Sequence, residues 1–116
     1  MPINSKAKGR RGETAFAALC REHGYIESRR GQQYKGGSDS ADVVGLPGIH
    51  IEVKYTERLN IYDAMNQSVR DSEGDAVPVV AHRRNREEWL VTMRAEDWFK
   101  FYSGWEKKDD SGVQDG

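Results

Sequence analysis

Two carboxylates and one ammonium group have a spacing in this chain that would let them act together. Glu52 and Lys54 are two residues apart in a segment that alternates apolar and polar residues. On an extended strand this spacing puts both side chains on the same face. Asp42 lies in a short apolar segment upstream, and a tight turn at Pro47 and Gly48 would return the chain to the same neighbourhood, with Asp42 roughly opposite Lys54 or Tyr55. The three groups are therefore predicted to share one site.

The chemistry that suits these groups is hydrolysis assisted by magnesium. Mg²⁺ binds one or two carboxylates together with waters and substrate phosphate. Asp42 and Glu52 supply the carboxylates, and the backbone carbonyl of Val53 is a candidate third ligand. The ion would polarise a phosphate ester and generate a hydroxide nucleophile, and Lys54 would position the attacking water and stabilise negative charge. One cysteine and three histidines do not favour a zinc cluster, so any metal is expected to have oxygen ligands.

Glu13 is a further candidate ligand. It shares one side of the first predicted helix with Phe16, Ala17 and Cys20, so it lies at the edge of the arc that faces the core. A carboxylate buried there needs a metal or another partner. Metal ligation, directly or through water, is one interpretation, and an ordinary interaction with the helix dipole is the other.

Three more polar residues lie near these groups in the sequence. Gln67 is on the side of a predicted helix that also carries Ala64, from which it can reach the strand of Glu52. Asp39 is interpreted either as a substitute ligand or as a turn residue. His50 shares the face of Glu52 and is interpreted as a surface or partner-facing histidine, with approach to the site as the alternative.

The predicted elements that position these residues alternate between helices and strands. They are a helix at 11–23 ended by Gly24, strands at 25–29, 41–46 and 49–55, a helix at 61–72 capped by Asn60, strands at 77–82 and 89–93, and a helix at 95–102. The order α-β-β-β-α-β-β-α predicts an α/β domain with a small mixed sheet flanked by helices. Residues 1–9 are predicted to be a flexible basic arm, 10–105 a single domain, and 106–116 a disordered polar tail.

Charge is distributed unevenly along the 116 residues although the net charge is −1. Residues 1–37 carry eight basic and three acidic side chains, whereas residues 38–105 carry eight basic and twelve acidic ones. A basic group of this kind favours phosphate contacts that give affinity without reading bases. The predicted DNA-binding residues are Lys8, Arg10, Arg11, Arg29, Arg30 and Lys35. Arg83, Arg84 and Arg86 lie in a predicted turn and are interpreted as a second phosphate-binding group or a solvated turn.

Other classes of protein are not favoured by the composition. The sequence has no apolar run long enough for a membrane span and no signal-peptide pattern. Cys20 has no second cysteine to pair with, so core packing and a reducing, cytoplasmic compartment are expected. Trp89, Trp98 and Phe101 are interpreted as core or dimer contacts rather than base-stacking platforms.

At these residues the chain resembles the PD-(D/E)XK nuclease superfamily, and within it the phage and prophage endonucleases of the archaeal Holliday junction resolvase type. The resemblance covers about residues 8–102 and includes KGRRGE ending at Glu13, SADVVG around Asp42 and IEVK ending at Lys54. Ala41 stands where the motif has proline.

The resemblance implies a restriction-endonuclease-like core and Mg²⁺-dependent hydrolysis of DNA phosphodiesters, with Mn²⁺ as a substitute. It assigns metal binding to Glu13, Asp42 and Glu52, and catalysis to Lys54 and Gln67. Branched or junction DNA is the expected partner, and two coordinated nicks favour a homodimer. The alternatives are a nuclease for flaps, ends or nicked duplex, and a DNA-binding module that does not cut.

Overall fold

The computed structural model describes residues 5–31 and 41–114 of the chain. Its helices and strands are α1 (Ser5–Glu22), β1 (Arg29–Arg30), β2 (Val43–Val44), β3 (Ile49–Tyr55), α2 (Ile61–Asp71), β4 (Val77–Arg83), β5 (Leu90–Met93) and α3 (Ala95–Gln114). The α/β class and the predicted order of elements are confirmed. Lys35 and Asp39 lie outside the described residues.

The five strands form one mixed sheet in the order β1-β2-β3-β4-β5. β3 and β4 are parallel and connected through α2, whereas the other neighbouring strands are antiparallel. β3 is therefore the central strand, with β2 on one side and β4 on the other. This topology places the segment that carries Glu52 and Lys54 in the middle of the sheet.

The two faces of β3 have different partners, as the alternating sequence predicts. Ile51 and Val53 pack with Phe16 and Cys20 of α1 in the larger hydrophobic core. On the opposite face, Val80 of β4 packs with Ala64 and Met65 of α2 in a smaller core. The polar residues of β3 therefore share their face with α2. Cys20 is buried as expected, and its burial raises the pKa of the thiol.

The turn between β2 and β3 is tight, and it sets the register of Asp42. The amide of Ile49 donates to the carbonyl of Leu46 at 3.3 Å, and the amide of Asp42 donates to the carbonyl of Ile51 at 2.8 Å. Asp42 therefore lies beside the middle of β3. The sequence-based expectation that it faces Lys54 or Tyr55 is wrong, because Val43 pairs with Ile51 and this register sets Asp42 beside Glu52.

The predicted strand at 25–29 is wrong, because most of this segment forms a turn. The amide of Ser28 donates to the carbonyl of Tyr25 at 3.0 Å, and β1 begins at Arg29. The turn packs against Gly45, where a Cβ atom would lie 2.6 Å from the Ser28 Cα and where φ is +106°. Glycine is needed at this position, both for the close approach and for the backbone angle. The strand predicted at 41–46 is likewise reduced to two residues.

Both terminal helices are longer than the sequence analysis predicts. α1 begins at Ser5, inside the segment expected to be a flexible arm, because Lys8 packs on the Tyr55 ring at 4.8 Å and ties this turn to the sheet. α3 continues to Gln114, through the segment expected to be a disordered tail. The residues after Trp105 include Glu106, Lys107 and Lys108, which have high helix propensity and extend the helix that precedes them.

Capping of α2 agrees with the sequence prediction. The side chain of Asn60 accepts a hydrogen bond from the amide of Asp63 at 3.1 Å, which satisfies one of the unpaired donors of the first turn. The cap fixes where the helix begins and therefore which of its side chains face β3. Among the described residues, no helix is both long enough and apolar enough to cross a membrane.

Candidate active site

Asp42 is buried immediately before β2, with 8% of its surface exposed. Its Oδ2 atom accepts a hydrogen bond from the amide of Val53 at 2.7 Å. The backbone of β3 therefore orients the carboxylate. The contribution of the Val53 carbonyl as a metal ligand stays a prediction.

Asp42 and Glu52 are close enough to interact strongly. Burial, and after it the negative charge of Glu52, raise the pKa of Asp42 from its ordinary value of 3.8 to about 8, although the Val53 amide opposes this rise. The charge of Glu13 and a hydrogen bond with the Glu52 side chain act in the same upward direction. At neutral pH the metal-free site therefore holds a proton on Asp42, because two adjacent carboxylates in a poorly solvated place do not both ionise.

Glu52 is the most deeply buried of these carboxylates, with 2% of its surface exposed. Its Oε1 atom lies 2.8 Å from the Nε2 atom of His50, which is also buried. An ionised carboxylate only accepts hydrogen bonds, so with Glu52 ionised the donor of this bond is a proton on Nε2. The interpretation of His50 as a surface histidine is wrong, because the face of β3 that it occupies is covered by α2.

A second group near Glu52 comes from α2. Ligand atoms of His50, Glu52 and Asp71 all lie within 4.8 Å of one another, so the three residues could hold a metal ion. This set contains a nitrogen donor, which the sequence analysis did not include among possible ligands. Asp71 was missed there, but it is one helical turn after Gln67 and on the same side of α2. Extending that helical face by four residues would have found it.

Lys54 of β3 and Gln67 of α2 are in contact, so Gln67 reaches the strand that carries Glu52. The Nζ atom of Lys54 donates to Oε1 of Gln67 at 2.8 Å, and both residues are partly exposed. Lys54 shares the β3 face with Glu52, two residues away. The contact restrains a long, flexible side chain and holds its ammonium group against Gln67 of α2. Access from solvent is retained at this end of the site.

Glu13 contributes to the electrostatics of Asp42, yet its side chain also has a cationic partner. Its Oε1 atom accepts a hydrogen bond from Nε of Arg30 at 2.9 Å. The negative charge of Glu13 is among the causes that raise the pKa of Asp42. Glu13 therefore lies at the border of the site, where it links β1 to α1.

The predicted DNA-binding residues that the structure describes differ in their exposure and in their partners. Arg10, Arg11 and Arg29 are exposed. Lys8 is largely covered because it packs on the ring of Tyr55, and its Nζ lies 4.0 Å from Glu57. The ion pair with Glu13 offsets the charge of Arg30. In the second basic group, Arg84 and Arg86 are exposed, whereas Arg83 lies over the Tyr55 and Trp89 rings.

If Glu52 binds a metal ion, loss of the His50 imidazole is expected to weaken that binding. In His50→Ala, the Oε1 atom loses a buried hydrogen bond, so the carboxylate is held less firmly. Removing such a supporting contact typically lowers metal affinity by about 10- to 100-fold. Calorimetric titration with Mn²⁺ measures this change.

His82→Ala is the matched control for this titration. His82 is partly covered, and its Nε2 contacts Oγ1 of Thr92 at 2.8 Å on the opposite side of β4 from β3. Its removal should leave the Mn²⁺ affinity unchanged. Equal affinities for wild type and His50→Ala would show that His50 does not support the metal ligand.

Comparison with known proteins gives no match to a family model, to a curated protein or to a solved structure. A function for this chain is therefore inferred from the arrangement of its own residues.

Proposed function

We propose that this protein is a metal-dependent endonuclease that hydrolyses DNA phosphodiesters by attack of a metal-activated water. The observation that carries the proposal is the pair of buried, interacting carboxylates, Asp42 and Glu52, with Lys54 two residues from Glu52 on the same face of β3. These are the groups that the resemblance to the PD-(D/E)XK nucleases assigns to metal binding and catalysis.

The electrostatics of the carboxylate pair support a divalent cation as the missing partner. Burial and mutual repulsion keep a proton on Asp42 in the metal-free protein. A divalent ion would replace that proton and neutralise both carboxylates, which lowers the free energy of burying them. Glu13, at the border of the same site, would act directly or through a bound water.

The positive charge of Lys54 would stabilise the negative charge that develops on the phosphate in the transition state. Its contact with Gln67 holds the ammonium group in one direction before substrate arrives. Such preorganised charge stabilises a transition state more than it stabilises the ground state. Gln67 would therefore act as a positioning residue, and in the substrate complex it could also contact the attacking water.

The chemistry of the donors bears on which metal is used. Asp42, Glu52 and the Val53 carbonyl provide oxygen ligands alone, which favours Mg²⁺, with Mn²⁺ as a substitute. The alternative group of His50, Glu52 and Asp71 includes an imidazole, which favours Mn²⁺ or another transition metal over Mg²⁺. Because His50 already bonds to Glu52, we assign it a supporting role and place the catalytic ion beside Asp42.

Branched DNA, such as a four-way junction, is the proposed substrate. The exposed arginines at 10, 11 and 29 provide phosphate contacts that do not depend on base sequence. Selection would then depend on the shape of the DNA, and binding would weaken steeply as salt is raised. Flaps, ends and nicked duplex are the alternative substrates, and a module that binds without cutting is the alternative function.

The proposal is tested by incubating the full chain with labelled junction, flap, nicked and linear DNA in Mg²⁺, in Ca²⁺ and in EDTA. Cleavage in Mg²⁺ but not in EDTA is the expected result, with the junction cut fastest. Binding to the junction in Ca²⁺ without cleavage in Mg²⁺ or Mn²⁺ would instead identify a non-cleaving module. Cleavage that persists in EDTA would contradict the metal-dependent mechanism.

A further inference from the structure

Helix α3 carries an aromatic stripe that is exposed to solvent. The stripe consists of Trp98, Phe101, Tyr102 and Trp105, whose spacing of three, four and seven residues puts them on one side of the helix. Between 44% and 62% of each residue is exposed. Exposed aromatic surface on this scale is typical of an interaction site rather than of a solvated helix.

The rings of the stripe already contact one another. Trp98 and Tyr102 are stacked, with centroids 5.5 Å apart and planes 10° apart. Tyr102 and Trp105 follow at 5.7 Å. Because these contacts restrain the side chains before any partner arrives, binding would cost less conformational entropy than for free rings.

The order of residues in the stripe is nearly the same in both directions. From Trp98 to Trp105 the sequence is WFKFYSGW, with tryptophan at each end and two aromatic residues at its centre. A two-fold axis requires a surface that is complementary to itself, with each position facing its counterpart. A stripe with this symmetry is suited to pairing with an antiparallel copy of itself.

We propose that α3 is a homodimer interface, in which the stripes of two copies pack antiparallel about an axis near Phe101 and Tyr102. In this register Trp98 of one copy packs on Trp105 of the other, and Phe101 packs on Tyr102. Phe99 lies opposite Gly104, whose missing side chain leaves open space next to the helix. The interface does not depend on the proposed nuclease activity, and it gives a surface to the homodimer that the sequence analysis predicts.

The available area supports a second copy as the occupant. Aromatic side chains bury about 150–250 Å² each, so five half-exposed rings, including Phe99, offer roughly 500 Å² per copy. A typical stable interface buries about 800 Å² per partner, and the flanks of a paired helix supply much of the difference.

A nucleic acid that stacks on the same rings is less favoured by the charges. α3 contains five acidic and three basic residues, so its field does not attract phosphates.

The first test is the mass of the full chain in solution, measured by sedimentation equilibrium over a range of concentrations. The wild type should be a dimer. Phe101→Glu and Trp105→Glu should each weaken dimerisation by at least about 30-fold, because buried aromatic residues dominate such interfaces. Tyr62→Glu is the matched control, since Tyr62 is an exposed ring on α2 and should leave the dimer unchanged. Circular dichroism of each variant verifies that it is folded.

The second test measures the register with spin labels, in a Cys20→Ala background. Labels at Ser103→Cys and Lys108→Cys would be separated along the helix axis by about 5 Å and about 20 Å in the antiparallel dimer. A parallel pair gives similar short distances at both positions. A monomeric wild type, a dimer that is insensitive to the two glutamate variants, or equal distances at the two labels would each overturn the proposal.

Discussion

Asp42→Asn and Glu52→Gln are expected to reduce Mg²⁺-dependent cleavage of junction DNA by about 10³-fold or more. Each substitution keeps the size of the side chain but removes the negative charge that a hard cation requires. Without the ion, neither polarisation of the phosphate nor formation of a hydroxide nucleophile is available. Single-turnover cleavage rates at saturating enzyme separate this chemical effect from weaker DNA binding.

Lys54→Met should lower the same rate by about 10²- to 10³-fold, since it removes one preorganised group that stabilises the transition state. Metal affinity should change far less than in the carboxylate variants. Gln67→Ala should have a smaller effect, because it releases the Lys54 side chain without removing its charge.

Asp75→Asn and Lys107→Met are the controls, because both residues are exposed and make no contact with Asp42 or Glu52. If the site variants cleave DNA as fast as these controls do, the cleavage does not depend on Asp42, Glu52 or Lys54.

In the absence of metal, the protein is expected to lose stability as the pH rises from about 4 to about 8. The pKa of Asp42 is about 8 in the folded protein and near 3.8 when its solvent exposure is restored by unfolding. The folded state therefore binds more protons than the unfolded state across this interval, and its stability falls with increasing pH. The stabilisation is complete below pH 4 and lost above pH 8, with a size on the order of a few kcal/mol.

Asp42→Asn separates this effect from all other titrations. The variant cannot ionise at this position, so its free energy of unfolding should depend less on pH and exceed that of wild type at pH 8. Urea unfolding at several pH values in EDTA gives the comparison, with Asp75→Asn as the exposed control. Parallel pH profiles for wild type and Asp42→Asn would disprove the protonation of Asp42, while added Mg²⁺ should restore wild-type stability at pH 8.

The cleavage and unfolding experiments should show opposite effects of one substitution on activity and on stability. Asp42→Asn should be inactive as an enzyme but more stable than wild type near pH 8. If Asp42 served only to stabilise the fold, its replacement would lower the free energy of unfolding of the protein. The combination therefore distinguishes a functional carboxylate from a structural one.

The fold was predictable because the chemistry of its elements is local. Alternation in β3 and the spacing of apolar residues in α1 assign each face of the sheet, and Asn60 marks the start of α2. The extent of α1 depends instead on Lys8 and Tyr55, which are distant in sequence. The helix propensity of the residues does not predict a contact between residues so far apart in the sequence.

The carboxylates and the lysine of the candidate site were predictable from the sequence, but the residues that hydrogen-bond to the carboxylates were not. Glu52 and Lys54 follow from a two-residue spacing on one strand. The contact of His50 with Glu52 depends on burial beneath α2, and the pairing of Arg30 with Glu13 depends on how β1 meets α1. These supports arise from packing between elements, which a single sequence specifies only indirectly.

The position of the site between a long central strand and a two-residue strand also determines how firmly its two halves are held. β3 pairs with β4 over seven residues, so amides around Glu52 should exchange with solvent only when the whole domain unfolds. β2 has only two residues, so fewer backbone hydrogen bonds hold the segment of Asp42 than hold the segment of Glu52. A bound cation would join the two halves and so tie the shorter strand to the longer one.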